Sequence, residues 1–145
     1  MKIHELLVIS LALSLLGAGA AHASTEVTVY KSPTCGCCEK YASYLRANGF
    51  AVKTVNETNM DAIKKHYGVS HIASCHTALV NGYVVEGHVP VNAIQKMLKE
   101  KPAIVGISVP GMQMNSPGMG EMQKGSLTVY AVQKEGKAPY IFSVE

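Results

Sequence analysis

The period of apolar positions changes several times along this chain. Glu26-Val27-Thr28-Val29-Tyr30 alternates and is rich in β-branched residues, which predicts a strand that breaks at Lys31-Ser32-Pro33-Thr34. From about Cys37 to Asn48 the spacing turns helical, with Tyr41, Tyr44 and Leu45 at i, i+3 and i+4, and Asn48-Gly49 supplies a left-handed stop. Residues 50–55 predict a second strand. Residues 58–67 predict a second helix, with Met60, Ile63 and Tyr67 in helical spacing, Thr58-x-x-Asp61 as its start and Gly68 as its terminator. Short apolar runs at 77–80 and 83–86 flank Asn81-Gly82, a strong hairpin turn. Pro90 opens a helix over 91–99, and residues 101–125 carry no sustained period. A terminal hairpin follows, with strands at 127–132 and 140–144 around Lys134-Glu135-Gly136-Lys137. The order βαβαββα, followed by a Met-rich loop and a C-terminal β-hairpin, predicts an α/β fold: a mixed sheet with flanking helices and no internal repeat.

The first residues stand apart from this pattern. Lys2 precedes an apolar run over 6–20, and Ala21-His22-Ala23 closes it ahead of Ser24. This reads as a Sec-type signal peptide over 1–23, cleaved after Ala23; the run is about 15 residues against the roughly 20 a membrane span needs. The mature chain, 24–145, is long enough for one domain with a core but not two. The formal charge is +3 before cleavage, and it stays there because the signal removes Lys2 and Glu5 together. The basic residues are scattered along the chain, which argues against a nucleic-acid partner. With the signal gone, no membrane association is expected, and the location is periplasmic.

All four cysteines, Cys35, Cys37, Cys38 and Cys75, lie in the mature part. Export puts them in an oxidising compartment, where two disulfides would be the ordinary arrangement. The spacing resists that reading, since Cys37 and Cys38 are adjacent and three of the four fall in one turn. Cys35-Gly36-Cys37-Cys38 sits where the first strand hands over to the first helix, so thiolates there are favoured by the helix dipole and its free N–H groups. Cys35 and Cys38 form a C-x-x-C pair suited to disulfide exchange on a thioredoxin-like scaffold. Cys37 adds a third thiol that a redox pair does not need. Ser74-Cys75-His76-Thr77 enters the strand before Asn81-Gly82, where thioredoxin-like proteins carry a cis-proline loop facing that first helix, with His76 in place of the proline. Four converging thiols make a soft site of the kind that selects Cu(I), zinc or iron–sulfur clusters. Zinc ribbons use two C-x-x-C knuckles, absent here, and an exported chain is a poor host for an iron–sulfur cluster.

Four blocks in order, Tyr30-Lys31-Ser32-Pro33-Thr34-Cys35-Gly36-Cys37-Cys38, Ala73-Ser74-Cys75-His76-Thr77-Ala78, Glu86-Gly87-His88-Val89-Pro90 and Val109-Pro110-Gly111-Met112, resemble the CopG-like family of periplasmic copper-resistance proteins. The resemblance spans about 26–122 and is less distinct over the terminal hairpin. It implies a thioredoxin-like fold, several copper ions bridged by cysteine sulfur, and a role in handling copper oxidation state. Charge arithmetic supports several ions independently. Four Cu(I) with four thiolates sum to zero, whereas a single Cu(I) leaves uncompensated negative charge to be buried.

Further ligands are sought among soft and imidazole side chains. Met112, Met114, Met119 and Met122 crowd one Gly/Pro-rich loop, and Met112 and Met119 are taken first as copper ligands. His88 follows the fourth strand and His76 adjoins Cys75, so both join the expected ligand set. His66 and His71 read as solvated, as do Lys31 and Lys64, while Tyr30, Tyr41 and Tyr44 read as core or rim. The expected function is copper binding in copper resistance, with interconversion of Cu(I) and Cu(II) as an oxidoreductase activity and a periplasmic efflux or electron-transfer partner. A thiol-disulfide oxidoreductase and a copper chaperone or sink without redox turnover are the alternatives. Because metal needs thiolate, the reduced protein is expected to bind Cu(I) and the disulfide form not.

Overall fold

The computed structural model describes residues 23–134 and 137–145. The proposed signal peptide, apart from Ala23, and the Glu135-Gly136 centre of the last turn lie outside the described residues. The alternating first segment is β1 (Glu26–Lys31), and it directs Val27, Val29 and Lys31 inward. Helix α1 (Gly36–Ala47) follows, then β2 (Ala51–Asn56), α2 (Met60–His66), a 3-10 turn at Ser70–Ile72, β3 (Thr77–Val80), β4 (Tyr83–Glu86) and α3 (Val91–Glu100). The chain closes with β5 (Gly106–Ser108), β6 (Thr128–Val132) and β7 (Tyr140–Val144).

The seven strands form one mixed sheet in the order β2-β1-β3-β4-β5-β6-β7. The β1–β2 and β4–β5 pairs are parallel and the remaining pairs antiparallel. The β2-β1-β3-β4 portion with its helices is the thioredoxin-like arrangement expected from the sequence, and β6–β7 is the expected terminal hairpin.

Because side chains alternate across a sheet, each strand divides its residues between two cores. Val29, Ala78, Val80, Val85 and Ile107 pack on one face against Tyr41 and Leu45 of α1 and Ile94 and Met97 of α3. Val84 and Val132 pack on the other face, with Val69 and Ile72 beside α2. Thr77 and Glu86 fall on the α2 face and His76 on the α1 face, a division that decides which partners each finds.

Three details differ from the sequence reading. Strand β5 lies inside the segment expected to be loop: it is three residues long, too short to show a period, and its Gly106 has the backbone of Val84 where a Cβ would stand. The cap of α2 is Asn59, whose side chain accepts from the Ala62 N–H at 3.0 Å, one residue beyond the expected Thr58. Lys31 and Lys64 are buried, at 1% and 6% exposure. Lys31 pairs with Glu39 of α1 at 2.9 Å and also donates to the Ser32 carbonyl. Lys64 reaches under the sheet to Glu86.

Candidate metal centre

Sulfur arrives at one point from two segments. Cys35 is the N-cap residue of α1 and Cys37 and Cys38 stand in its first turn, so the strand-to-helix turn collects three sulfurs within one helical repeat. Cys75 comes from the connection between the 3-10 turn and β3, brought opposite α1 by the pairing of β3 with β1. The four sulfurs lie within 4.8 Å of one another. Cys35 and Cys38 are joined as a disulfide with a Cα–Cα separation of 5.3 Å, and Cys37 and Cys75 are free thiols. Cys37 Sγ is 3.6 Å from Cys35 Sγ and 3.9 Å from Cys75 Sγ.

The connection bends at Cys75, so this thiol and its neighbour His76 both reach the α1 side instead of alternating. Cys75 Sγ stands 3.4 Å from His76 Nδ1 and 3.1 Å from His88 Nε2. Cys75, His76 and His88 form a second convergent group that shares its sulfur with the first. The His88 Nδ1–H donates to the Pro117 carbonyl at 2.7 Å; a carbonyl only accepts, so the proton is on Nδ1 and Nε2 presents its lone pair to Cys75. Both rings are buried against Tyr41, with centroid distances of 4.6 Å to His76 and 5.2 Å to His88. The Tyr41 hydroxyl donates to the Val89 carbonyl at 2.7 Å.

Burial sets the protonation of the group. It holds both imidazoles below the usual histidine range, His76 well below it, with nearby His88 and Lys64 adding to the effect on His76. The Cys75 thiol is pushed up to about 11, first by burial and then by the neighbouring Cys37. Burial thus favours a neutral, desolvated pair of imidazoles around a protonated Cys75 thiol. Soft sulfur and neutral imidazole are the donor types that suit Cu(I) and disfavour hard oxygen-seeking cations.

The family described as a protein of unknown function, DUF411, matches residues 72–119. That stretch carries Cys75, His76 and His88. Two solved structures, forms 2 and 1 of a copper resistance protein CopG, are each 35% identical in sequence, with TM-scores of 0.74 and 0.73. Each similarity covers 85% of this chain, and they cover 99% and 98% of the respective CopG chains. The chain belongs to the CopG-like copper-resistance family. Among curated proteins none matches.

In this CopG-like chain the Met-rich segment is tied to the centre by its backbone. The Gly111 N–H donates to the Ala73 carbonyl at 3.0 Å, the Ser74 hydroxyl donates to the Gly111 carbonyl, and Pro117 receives His88. Gly118, with φ of +81°, lies against the backbone of Lys40 and Tyr41 in α1, an approach that a side chain would obstruct. Met112 and Met114 project into solvent at 63% and 67% exposure, while Met119 is half-buried. His66 and His71 are exposed, as expected.

Sequence reasoning missed the groups that hold the centre in place. Glu86 accepts from the Ser74 N–H at 2.7 Å, from Lys64 Nζ at 2.5 Å and from the Thr77 hydroxyl at 2.6 Å, directly behind Cys75. The one available signal was a charged residue ending an otherwise apolar strand, Tyr83-Val84-Val85-Glu86, immediately before Gly87-His88.

Proposed function

We propose that this protein binds copper as part of copper resistance, holding a cysteine-bridged cluster of several copper ions through Cys35, Cys37, Cys38 and Cys75. The observation that carries the reading is the convergence of four sulfurs from two distant segments within 4.8 Å. The copper-resistance relatives support it at the level of the ion handled. His88 and His76 border the sulfurs and complete the ligand shell, and Met112 and Met119 supply weaker thioether contacts for entry and exit. The chain works in the periplasm after export.

Interconversion of copper oxidation states belongs to this reading. The Cys35–Cys38 pair can carry the electrons: two Cu(II) and two thiols give two Cu(I), one disulfide and two protons, and an electron-transfer partner then returns two electrons to reopen the disulfide. A copper-efflux partner would receive the product.

Copper quantified after anaerobic loading of the reduced protein tests the cluster. A shared cluster loses bridges to several ions when one thiolate goes, so each single Cys→Ser variant is expected to lose far more than a quarter of the bound copper. Proportional loss across the four variants would indicate independent sites. A second reading, thiol-disulfide exchange on protein substrates, is favoured by the Cys35–Cys38 disulfide at the start of α1. An insulin-reduction assay separates the two: turnover comparable to a thioredoxin supports exchange, and no turnover supports copper.

A further inference from the structure

A cleft of about 820 Å³ opens between the end of α2 with the 3-10 turn and the turn that joins β6 to β7. Lys65, His66 and His71 line it from the first segment, and Lys134 and Lys137 from the second. Among the described residues the lining contains no aspartate or glutamate. The ion pairs among the described residues are Lys31–Glu39 and Lys64–Glu86, so none of these three lysines has a carboxylate of its own there. Even with Glu135 counted from the sequence, the lysines leave a positive surplus. The fold thus gathers like charges from distant parts of the chain, an arrangement that repels itself and favours an anion from outside.

The shape of the cleft indicates what kind of anion. Its volume suits a ligand far larger than one phosphate, and Tyr67, Val105 and Pro139 give it apolar wall between the cations. From Pro139 the chain runs directly into β7, which is an edge of the sheet and whose outer N–H and C=O groups face no neighbouring strand. The opposite edge strand, β2, carries an exposed lysine, Lys53, in its middle, a common guard against strand addition. Strand β7, Tyr140-Ile141-Phe142-Ser143-Val144, has neither a charge nor a proline. Ile141 pairs with Tyr130, which packs on the α2 side of the sheet, so Ile141 stands on that side too and is 60% exposed. A bare backbone edge and an exposed apolar side chain therefore continue from the basic cleft.

We infer that this face is a docking site for an extended, acidic segment of a partner protein, which adds as a strand to the outer edge of β7 and lays its carboxylates over Lys65, Lys134 and Lys137. Main-chain pairing along the edge supplies the affinity that a small anion cannot obtain, and the lysines select the sign of the charge. The 3-10 turn that contributes His71 to the cleft leads within a few residues to Cys75, so the docked segment lies beside the chain that carries this thiol. The inference stands apart from the copper reading, because no metal takes part in it.

The test is a fluorescence-anisotropy titration of the full chain, without added copper, against a labelled eight-residue peptide alternating glutamate and valine. Binding is expected, and a peptide with lysine in place of glutamate should not bind. Lys65→Gln/Lys134→Gln/Lys137→Gln should weaken binding roughly tenfold or more. All three side chains are exposed, and the urea midpoint checks that the fold is kept; Lys134→Gln/Lys137→Gln alone, in the turn, serves if it is not. Hydrogen exchange read by mass spectrometry should slow over residues 140–144 when the peptide binds, as edge amides gain partners. Inorganic tripolyphosphate and an oligothymidylate of eight nucleotides, titrated in parallel, should bind more weakly and leave 140–144 unprotected. Absence of peptide binding overturns the inference, and so does binding that survives loss of the lysines or leaves β7 exchanging freely. Tripolyphosphate binding as tightly as the peptide would make the cleft a small-anion site, and tighter oligothymidylate binding a nucleic-acid surface; either result also overturns it.

Discussion

Glu86 illustrates how one buried residue can govern a site it does not enter. Its side chain is fully buried, and its carboxyl is raised by that burial while the adjacent Lys64 ammonium draws it back down. The carboxylate receives the backbone N–H of Ser74, the residue before Cys75, so the position of the thiol depends on an ion pair on the opposite face of the sheet. Removing one partner of a buried pair leaves an uncompensated charge. Lys64→Met is therefore expected to destabilise the fold by about 3–5 kcal/mol in urea unfolding. The neighbouring exposed Lys65, changed to Met, should shift stability by less than about 0.5 kcal/mol. Equal, small losses in the two variants would mean that Glu86 carries its own proton in the fold and needs no counter-charge. The sequence could not separate these lysines: adjacent residues on a helix face different directions, and which one turns inward is decided by a glutamate on a strand still to be placed.

Among the elements, the helices and paired strands were the readable part, because burial on one face imposes a period. The hairpin at Asn81-Gly82 formed as the turn chemistry requires, with Asn81 at φ of +46° and Gly82 at +81°. Strand β5 was unreadable for the opposite reason. It is held by strands on both sides, and three residues cannot display an alternation. The segment after it was legible as functional from its methionines, but not as anchored; its ties to Ala73, Ser74 and His88 are to backbone carbonyls or from side chains that no local pattern announces. On the proposed function, those ties bear on copper exchange. Replacing Met112 and Met119 together by Leu keeps volume and should leave the thiolate-held copper almost unchanged, while lowering total copper and altering its release rate to a chelator in stopped-flow measurements. Wild-type stoichiometry and rates in that variant would assign both methionines to packing.

For the whole molecule, four cysteines and two histidines in their sequence blocks were enough to anticipate a common centre, whereas the disulfide state and the roles of the two imidazoles required coordinates. The tautomer of His88 follows from a proline carbonyl 29 residues away, which no spacing rule reaches. The proposed export belongs to this scale too. Cleavage after Ala23 predicts that the intact mass of protein recovered from the periplasm corresponds to a chain beginning at Ser24, and a mass retaining 1–23 would refute it. The centre's construction has a bearing on timing. Cys37 and Cys75 are 38 residues apart in sequence and meet only once β3 has paired with β1. On the proposed export route, a chain threaded through a translocation channel in extended form has no such meeting point and brings no copper with it from the compartment where it is made. On the proposed function, folding then comes first and loading second, and the metal is a sample of the place where the chain finished folding.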